Sequence, residues 1–402
     1  MSKIIKSLSI SFIFICLASF CSNEKNPGDK KTPVVKAKPE VAGDIKTDKI
    51  AVNKTDKKLP TAEKPPLKPV SATKVPAAEV KKILQKTPEE IDREYWEKAD
   101  GPLDKKYHEI FSSIKAQETG AKPKENYYIS NEDYYSLWYP HIVNKKGAYI
   151  GVASDQNYSL AVTSGAKVVF LVDYDKEVNN THRLYSLLVE ISSTPDELMK
   201  WFNIKNFKKV WKLAVEKYGK KRGERVALLH KYQGKHVITH HRSRRYMVKK
   251  GMAGNYWLAD QKMFDAWKKL VIEKRVFILP GNLKDGKTIT EIGNALNKVH
   301  LPVRTIYMSN AEEFWFYPEA FKKAFLNLPM DDSSKVLRTA VLNEKFKKGY
   351  LFHYTIQSGP DFRAWMSRPE KYFSSKTMCK YRKPEDPKKL YFTILPGPPK
   401  KI

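Results

Sequence analysis

The residues of this chain that are equipped for chemistry fall in a few short stretches. Residues 147–175 read GAYIGVASDQNYSLAVTSGAKVVFLVDYD. An apolar run, Ala148–Val152, meets a polar turn, Ala153–Asn157. A short helical pattern follows at Tyr158–Ser164, then Gly165, and a second apolar run, Lys167–Val172, closes on Asp173. In doubly wound α/β domains such a unit holds a nucleotide-like ligand, with the turn beneath it and the acid on a ribose. Ser154, Asp155 and Asn157 are the turn residues with polar side chains to offer. Asp155 or Asn157 capping the next helix is the plainer role. For Asp173 the plainer role is a solvated strand end or a cap on the helix from Lys176.

Other candidates are scattered. Ser309-Asn310 closes an apolar run, and Asn310 there would line a crevice; Glu312-Glu313 would open a helix and favour its dipole. Asp331-Asp332-Ser333-Ser334 puts two acids beside hydroxyls, the groups of a base or a metal ligand. Adjacent turn residues point apart, however, and an Asx-type turn accounts for them. His230, His236, His240 and His241 cluster, and the spacing of four from His236 to His240 would suit a metal on a helix. Val237-Ile238-Thr239 between them favours a strand, no carboxylate or thiol lies close in sequence, and no metal site is assigned. Hydrolase elbow, phosphate-binding loop and HExxH motifs are absent from the sequence.

Charge is the strongest compositional signal. The formal net charge is +30. Between Lys205 and Lys250 there are 16 Lys/Arg against two acids, Glu216 and Glu224, with aromatics interleaved at Phe207, Trp211, Tyr218, Tyr232 and Tyr246. That pattern fits a surface for a polyanion such as nucleic acid, anionic lipid or phosphorylated glycan, read by Lys208, Lys209, Lys212, Arg242, Arg244 and Arg245. The Arg242–Arg245 cluster stands out because guanidinium forks match phosphate. A solvated helix face in a Lys-rich chain is the plainer account.

The elements that must position these residues alternate. Strands are expected at Ala148–Val152, Lys167–Val172, Val276–Leu279 and Val303–Met308, with two late strands at Lys335–Leu342 and Tyr350–Gln357. Helical patterns fall at Lys176–Ile191, after a Thr194-Pro195-Asp196-Glu197 start, at Asn255–Glu273, Thr288–Val299, Ala311–Phe316 and Glu319–Leu326. Tyr127–Tyr139 is expected to pack over the sheet or form a lid. The alternation predicts an α/β fold, a doubly wound and mostly parallel sheet with helices on both faces and an antiparallel edge, interrupted by a long basic helical insertion.

That order resembles the class I S-adenosylmethionine-dependent methyltransferases over Ala148–Gln357. More specifically, the chain is similar to a poorly characterised bacterial family of methyltransferase-like proteins. The segments that carry this are Gly151-Val152-Ala153-Ser154-Asp155-Gln156-Asn157, Phe170-Leu171-Val172-Asp173, Tyr307-Met308-Ser309-Asn310-Ala311-Glu312, Leu328-Pro329-Met330-Asp331-Asp332-Ser333-Ser334 and His353-Tyr354-Thr355-Ile356-Gln357-Ser358-Gly359-Pro360. The resemblance implies S-adenosylmethionine as a possible cofactor, with Gly151, Ser154, Asp155 and Asn157 near its methionyl end and Asp173 on its ribose. Asn310 would line the cofactor crevice beside the substrate, with Asp331, Asp332 and Ser333 as further crevice candidates. The usual glycines of the turn are replaced by Ser154-Asp155-Gln156-Asn157, and Ser-Asn-Ala-Glu stands where amine methyltransferases carry Asn/Asp-Pro-Pro-aromatic.

The first residues point to export. Lys3 and Lys6 precede an apolar run of 13 residues, Leu8–Phe20, too short to span a bilayer and right for a signal-peptide core. It closes on Leu17-Ala18-Ser19-Phe20-Cys21, which resembles a relaxed lipobox with Cys21 as the lipidation site. Of the other cysteines, Cys16 sits in the signal core and Cys379 is alone, so acylation of Cys21 leaves no pair for a disulfide. Residues 22–94 contain no aromatic residue and read as a disordered tether reaching roughly 45 Å. All eight Trp follow it. The expected organisation is a signal peptide (1–21), the tether, a helical and aromatic extension (95–146), an α/β domain (147–367) with its basic insertion (205–250), and a basic tail (368–402). S-adenosylmethionine is a cytoplasmic metabolite, so an exported domain is expected to have lost catalysis and to bind an anionic ligand at the cell envelope. An active methyltransferase is the alternative.

Overall fold

The computed structural model describes residues 86–117, 119–120, 128–341, 352–370, 373–386 and 391–400. Cys21 and most of the expected tether lie outside them. Among the described residues no helix is long and apolar enough to cross a membrane.

Eight strands form one sheet. They are β1 (Ala148–Gly151), β2 (Val168–Asp173), β3 (Val276–Pro280), β4 (Val303–Tyr307), β5 (Lys335–Ala340), β6 (His353–Ser358), β7 (Lys383–Pro384) and β8 (Phe392–Leu395), in the order β3-β2-β1-β4-β5-β6-β8-β7. Neighbours from β3 to β5 pair in parallel. β6 then runs antiparallel to β5, with Lys335 opposite Ser358 and Ala340 opposite His353. The α/β reading, the mostly parallel sheet and the antiparallel pairing of the two late strands therefore hold, but those strands are not the edge, because β8 pairs parallel to β6 and β7 lies beyond it. Parallel strands need crossovers, and each crossover lays a helix on a face. The central strands are consequently buried on both faces, which is why they read as unbroken apolar runs.

Alternate strand residues feed two cores. Tyr149, Val169, Leu171, Tyr307 and Leu337 face one side. There they meet α4 (Gln156–Ser164), α5 (Lys176–Glu190), α6 (Pro195–Trp201), α7 (Phe207–Tyr218), α8 (Lys220–Lys249) and α9 (Gln261–Ile272). Ile150, Val168, Phe170, Ile306 and Val336 face the other. They meet α1 (Pro88–Lys98), α2 (Lys105–Ser112), α10 (Lys287–Lys298), α11 (Glu319–Leu326), α12 (Gly359–Met366) and α13 (Ser375–Cys379). A short α3 (Tyr139–Ile142) follows a 3-10 turn at Tyr135–Trp138 on the first side.

Several expectations need correction. Residues 88–94 belong to a packed helix and not to the tether. Thr87 Oγ1 accepts from the Glu90 amide, the Glu90 carboxylate accepts from the Thr87 amide, and Pro88 sits in the first turn, a complete N-terminal cap. Trp96 is buried and its indole donates to Val299 O at 2.8 Å. The tail past 367 is not an appendage either. α13 packs on the second core, and β8 and β7 complete the sheet.

Val237-Ile238-Thr239 is not a strand but the middle of α8, a helix of 30 residues. At the basic hairpin, Gly223 and Gly234 let α8 approach its neighbours. A Cβ on Gly234 would sit 2.6 Å from Phe202 O, and one on Gly223 would overlap the Ala214 carbonyl. Tertiary contact along the whole helix overrides the local preference of three β-branched residues. Ala311–Phe314 is a 3-10 turn, and α9 starts at Gln261 behind the cap Asp260.

Candidate functional site at the carboxyl ends of the parallel strands

The strand order reverses direction between β1 and β4, and ligands of open α/β sheets bind beyond the carboxyl ends of strands at such a point. The turn after β1 is tightly bound to its surroundings. Ala153 has φ 64°, a left-handed backbone that a non-glycine residue adopts at a cost of about 1 kcal/mol. Its N–H donates to Asp173 Oδ2 at 2.9 Å, and its carbonyl meets His182 Nε2 at 2.8 Å. His182 Nδ1 meets the Tyr158 hydroxyl at 2.7 Å. Asp173 Oδ1 accepts from the Asp175 amide.

The predicted turn residues are brought together, but each is engaged internally. The Asn157 amide nitrogen donates to Val152 O and Ser154 O, and its Oδ1 accepts from Tyr149. A Cβ on Gly151 would overlap that same Oδ1, so the glycine makes room for Asn157. Ser154 donates to Gln156 Oε1, and Gln156 donates to the Tyr307 hydroxyl. Asp155 accepts from the Ser130 amide at 2.8 Å and from the Trp257 indole at 3.3 Å.

The segment before α3 supplies the rest of this crest. Glu132 is 1% exposed. Tyr307 donates to its Oε2 at 2.6 Å, and Ser309 and Thr339 both donate to Oε1 at 2.8 Å. Burial pushes the Glu132 carboxyl up against the pull of these three hydroxyls. Arg244 holds the segment from behind, donating to Glu132 O at 2.7 Å with its guanidinium 4.5 Å from the Tyr135 ring. Trp138 donates to Thr355 O at 3.0 Å, which lays the aromatic stretch over the sheet as expected. Ser309, with φ 50°, and Asn310 end β4 at the same crest. Beside them Glu313 is pushed up to about 7 by burial, while its carboxylate accepts from the Val341 amide.

Other predicted residues lie elsewhere. Asp331, Asp332 and Ser333 precede β5 and so sit at the amino ends of the strands, away from the crest. Asp331 accepts there from the Ser333 amide and from Arg304 Nε at 2.9 Å, the Asx-type turn of the plainer account. Arg244 is buried and cannot present a guanidinium to a polyanion. Arg245 pairs with Asp196 and is half-buried. Lys208, Lys209, Lys212 and Arg242 are exposed on α7 and α8.

A family model described as a domain of unknown function, DUF7790, matches residues 127–395. The chain belongs to the DUF7790 family. A search of the curated proteins gave no match. The DUF7790 span begins at the aromatic stretch that carries Glu132 and ends at β8. Its boundaries thus take in the crest segment and the last strands, both outside the expected 147–367 domain.

The expected site missed Glu132, Tyr307, Thr339 and the structural role of Arg244. An acid in the middle of an aromatic run, Ser130-Asn131-Glu132-Asp133-Tyr134-Tyr135, was the one available signal.

Proposed function

We propose that this protein is a lipid-anchored envelope protein whose methyltransferase-like domain has lost catalysis and binds anionic ligands. The observation that carries the first half is the engagement of the turn residues Ser154, Asp155 and Asn157 in hydrogen bonds within the protein. The resemblance would put the methionyl end of the cofactor at the turn after β1, and there Asn157 is held on Val152 O, Ser154 O and Tyr149, Ser154 on Gln156, and Asp155 on the Ser130 amide and the Trp257 indole. A turn whose side chains are spent in this way does not fit S-adenosylmethionine. Titration calorimetry of the full chain with S-adenosylmethionine should give no binding heat. Micromolar binding that Asp173→Ala abolishes would overturn the reading.

The second half rests on charge that the fold leaves uncompensated. Lys205, Lys208, Lys209, Lys212, Lys235 and Arg242 are exposed and form no ion pair among the described residues. Acidic lipid, phosphorylated glycan and nucleic acid share the chemistry such a face recognises. Binding to heparin or to acidic vesicles should fall steeply as salt rises past the point where the screening length is about 10 Å. A flat salt response would remove this half. Export through Lys3, Lys6 and the Leu8–Phe20 run, with acylation at Cys21, completes the reading; mass spectrometry of the mature amino terminus tests it.

An active methyltransferase is the second reading. It is favoured by the order β3-β2-β1-β4-β5 and by Asp173 at the tip of β2.

A further inference from the structure

A separate cavity of about 690 Å³ opens at the carboxyl end of β3. Its wall carries Lys176 and Arg183 of α5, Pro280, and the Gly219-Lys220-Lys221-Arg222 corner where α7 turns into α8. Gly219 (φ 76°) makes the corner, and α8 starts there without a side-chain cap. The free amides of a first turn and the helix dipole attract negative charge, so such turns favour Asp and Glu. This one holds no acid and opens with three cations instead, Lys220, Lys221 and Arg222. The arrangement disfavours the isolated helix and suits an anion supplied from outside.

Two further observations point into the same cavity. Arg183 makes no ion pair among the described residues; its guanidinium reaches only Asn180 Oδ1 at 3.2 Å and Ile278 O at 3.4 Å. Burial and the neighbouring Arg222 push it down to about 10. Thr119 and Asn179 are each at least nine-tenths buried and line the wall, and Thr119 Oγ1 and Asn179 Oδ1 have no hydrogen-bond partner among the described residues. The Asn179 amide nitrogen donates to Asp173 O and Asp175 O, which leaves Oδ1 as an acceptor seeking a hydroxyl.

We propose that this cavity binds a phosphate monoester of a polyol, with the phosphoryl group at the first turn of α8 between Arg183, Arg222 and Lys221 and a ligand hydroxyl toward Asn179. Arginine forks match phosphoryl oxygens two at a time, and a hydroxyl-bearing ester satisfies both kinds of orphan group. The inference rests on the anion-binding reading and gives it a pocket distinct from the exposed face of α7.

The test is calorimetry of the full chain with glycerol phosphate, and flotation with phosphatidylcholine vesicles with and without phosphatidic acid. Arg222 and Lys221 are exposed, so Arg222→Ala and Lys221→Ala should fold, and an unchanged melting temperature without ligand verifies this. Binding in either arm should weaken about tenfold or more in each variant, the loss expected for a charge-assisted contact. Glycerol phosphate binding identifies a soluble ester as the source, and binding to phosphatidic acid alone identifies a lipid headgroup. No binding in either arm, or binding that both variants leave intact, overturns the proposal. A Lys208→Glu/Lys209→Glu/Lys212→Glu chain separates the two ideas. It should lose heparin and retain the phosphate ester, whereas failure of the anion-binding reading as a whole would show as no heparin binding in any variant.

Discussion

Three hydroxyls donate to the Glu132 carboxylate, and each is buried with it. Glu132→Ala strands Tyr307, Ser309 and Thr339 together and should lower stability by about 3 kcal/mol, whereas the isosteric Glu132→Gln should cost about half as much; urea unfolding checks both. Glu312 and Arg338 form a buried ion pair, with Tyr317 also donating to Glu312. Removing Glu312 alone leaves a buried cation and should cost about 3–5 kcal/mol, while Glu312→Leu with Arg338→Met should recover most of that loss. Glu313 makes a prediction in pH. Its carboxyl is pushed up to about 7 from 4.5, so the native state holds a proton that the unfolded chain has already released. Stability should therefore fall as pH rises through that window, and Glu313→Gln should flatten the fall. An unchanged slope in the variant would dismiss the role of Glu313.

Among the elements, α1 is the one whose status changed most. Its Trp96 is buried against the second core, so Trp96→Ala should cost about 3–5 kcal/mol in thermal or chemical unfolding. The elements that sequence patterning placed correctly are those governed by local rules. The apolar runs of β1 to β4 are bounded by Gly165, Asp173, Pro280 and Ser309, and Thr194 caps α6 by accepting from the Glu197 amide. The elements it misplaced depend on distant partners. The β-branched triplet in α8 is overruled by packing along the whole helix, and β8 is short and recognisable only beside β6. The candidate site divides the same way. The turn residues around Asp155 and the acid Asp173 were legible because β-turn-α-turn-β is a local pattern. The Glu132 contacts reach Tyr307, Ser309 and Thr339, up to 207 positions away, and no spacing rule reports them.

At the scale of the molecule, buried histidines shape its response to acid. Burial pushes His182, His241 and His353 down to about 4, 3 and 4 from 6.5. Each takes up a proton on unfolding before it does so in the native state. The stability they contribute is whole above pH 6.5 and is lost as pH falls toward these values. This runs opposite to the Glu313 effect, so stability should peak within the overlap and drop steeply below about pH 5. Denaturant midpoints across pH would show it, and His182→Gln with His353→Gln should soften the acid limb. The net positive charge of the chain adds self-repulsion as acid protonates the carboxylates.

The placement of β8 carries a consequence for how the chain is made. β8 lies between β6 and β7 in the sheet, yet it is the last strand to be synthesised. Until Phe392–Leu395 leave the ribosome, β6 shows a naked row of amides and carbonyls, a template for pairing with another unfinished chain. Chains cut short after α13 should accumulate as aggregates, because the strand that shields β6 is the piece they lack.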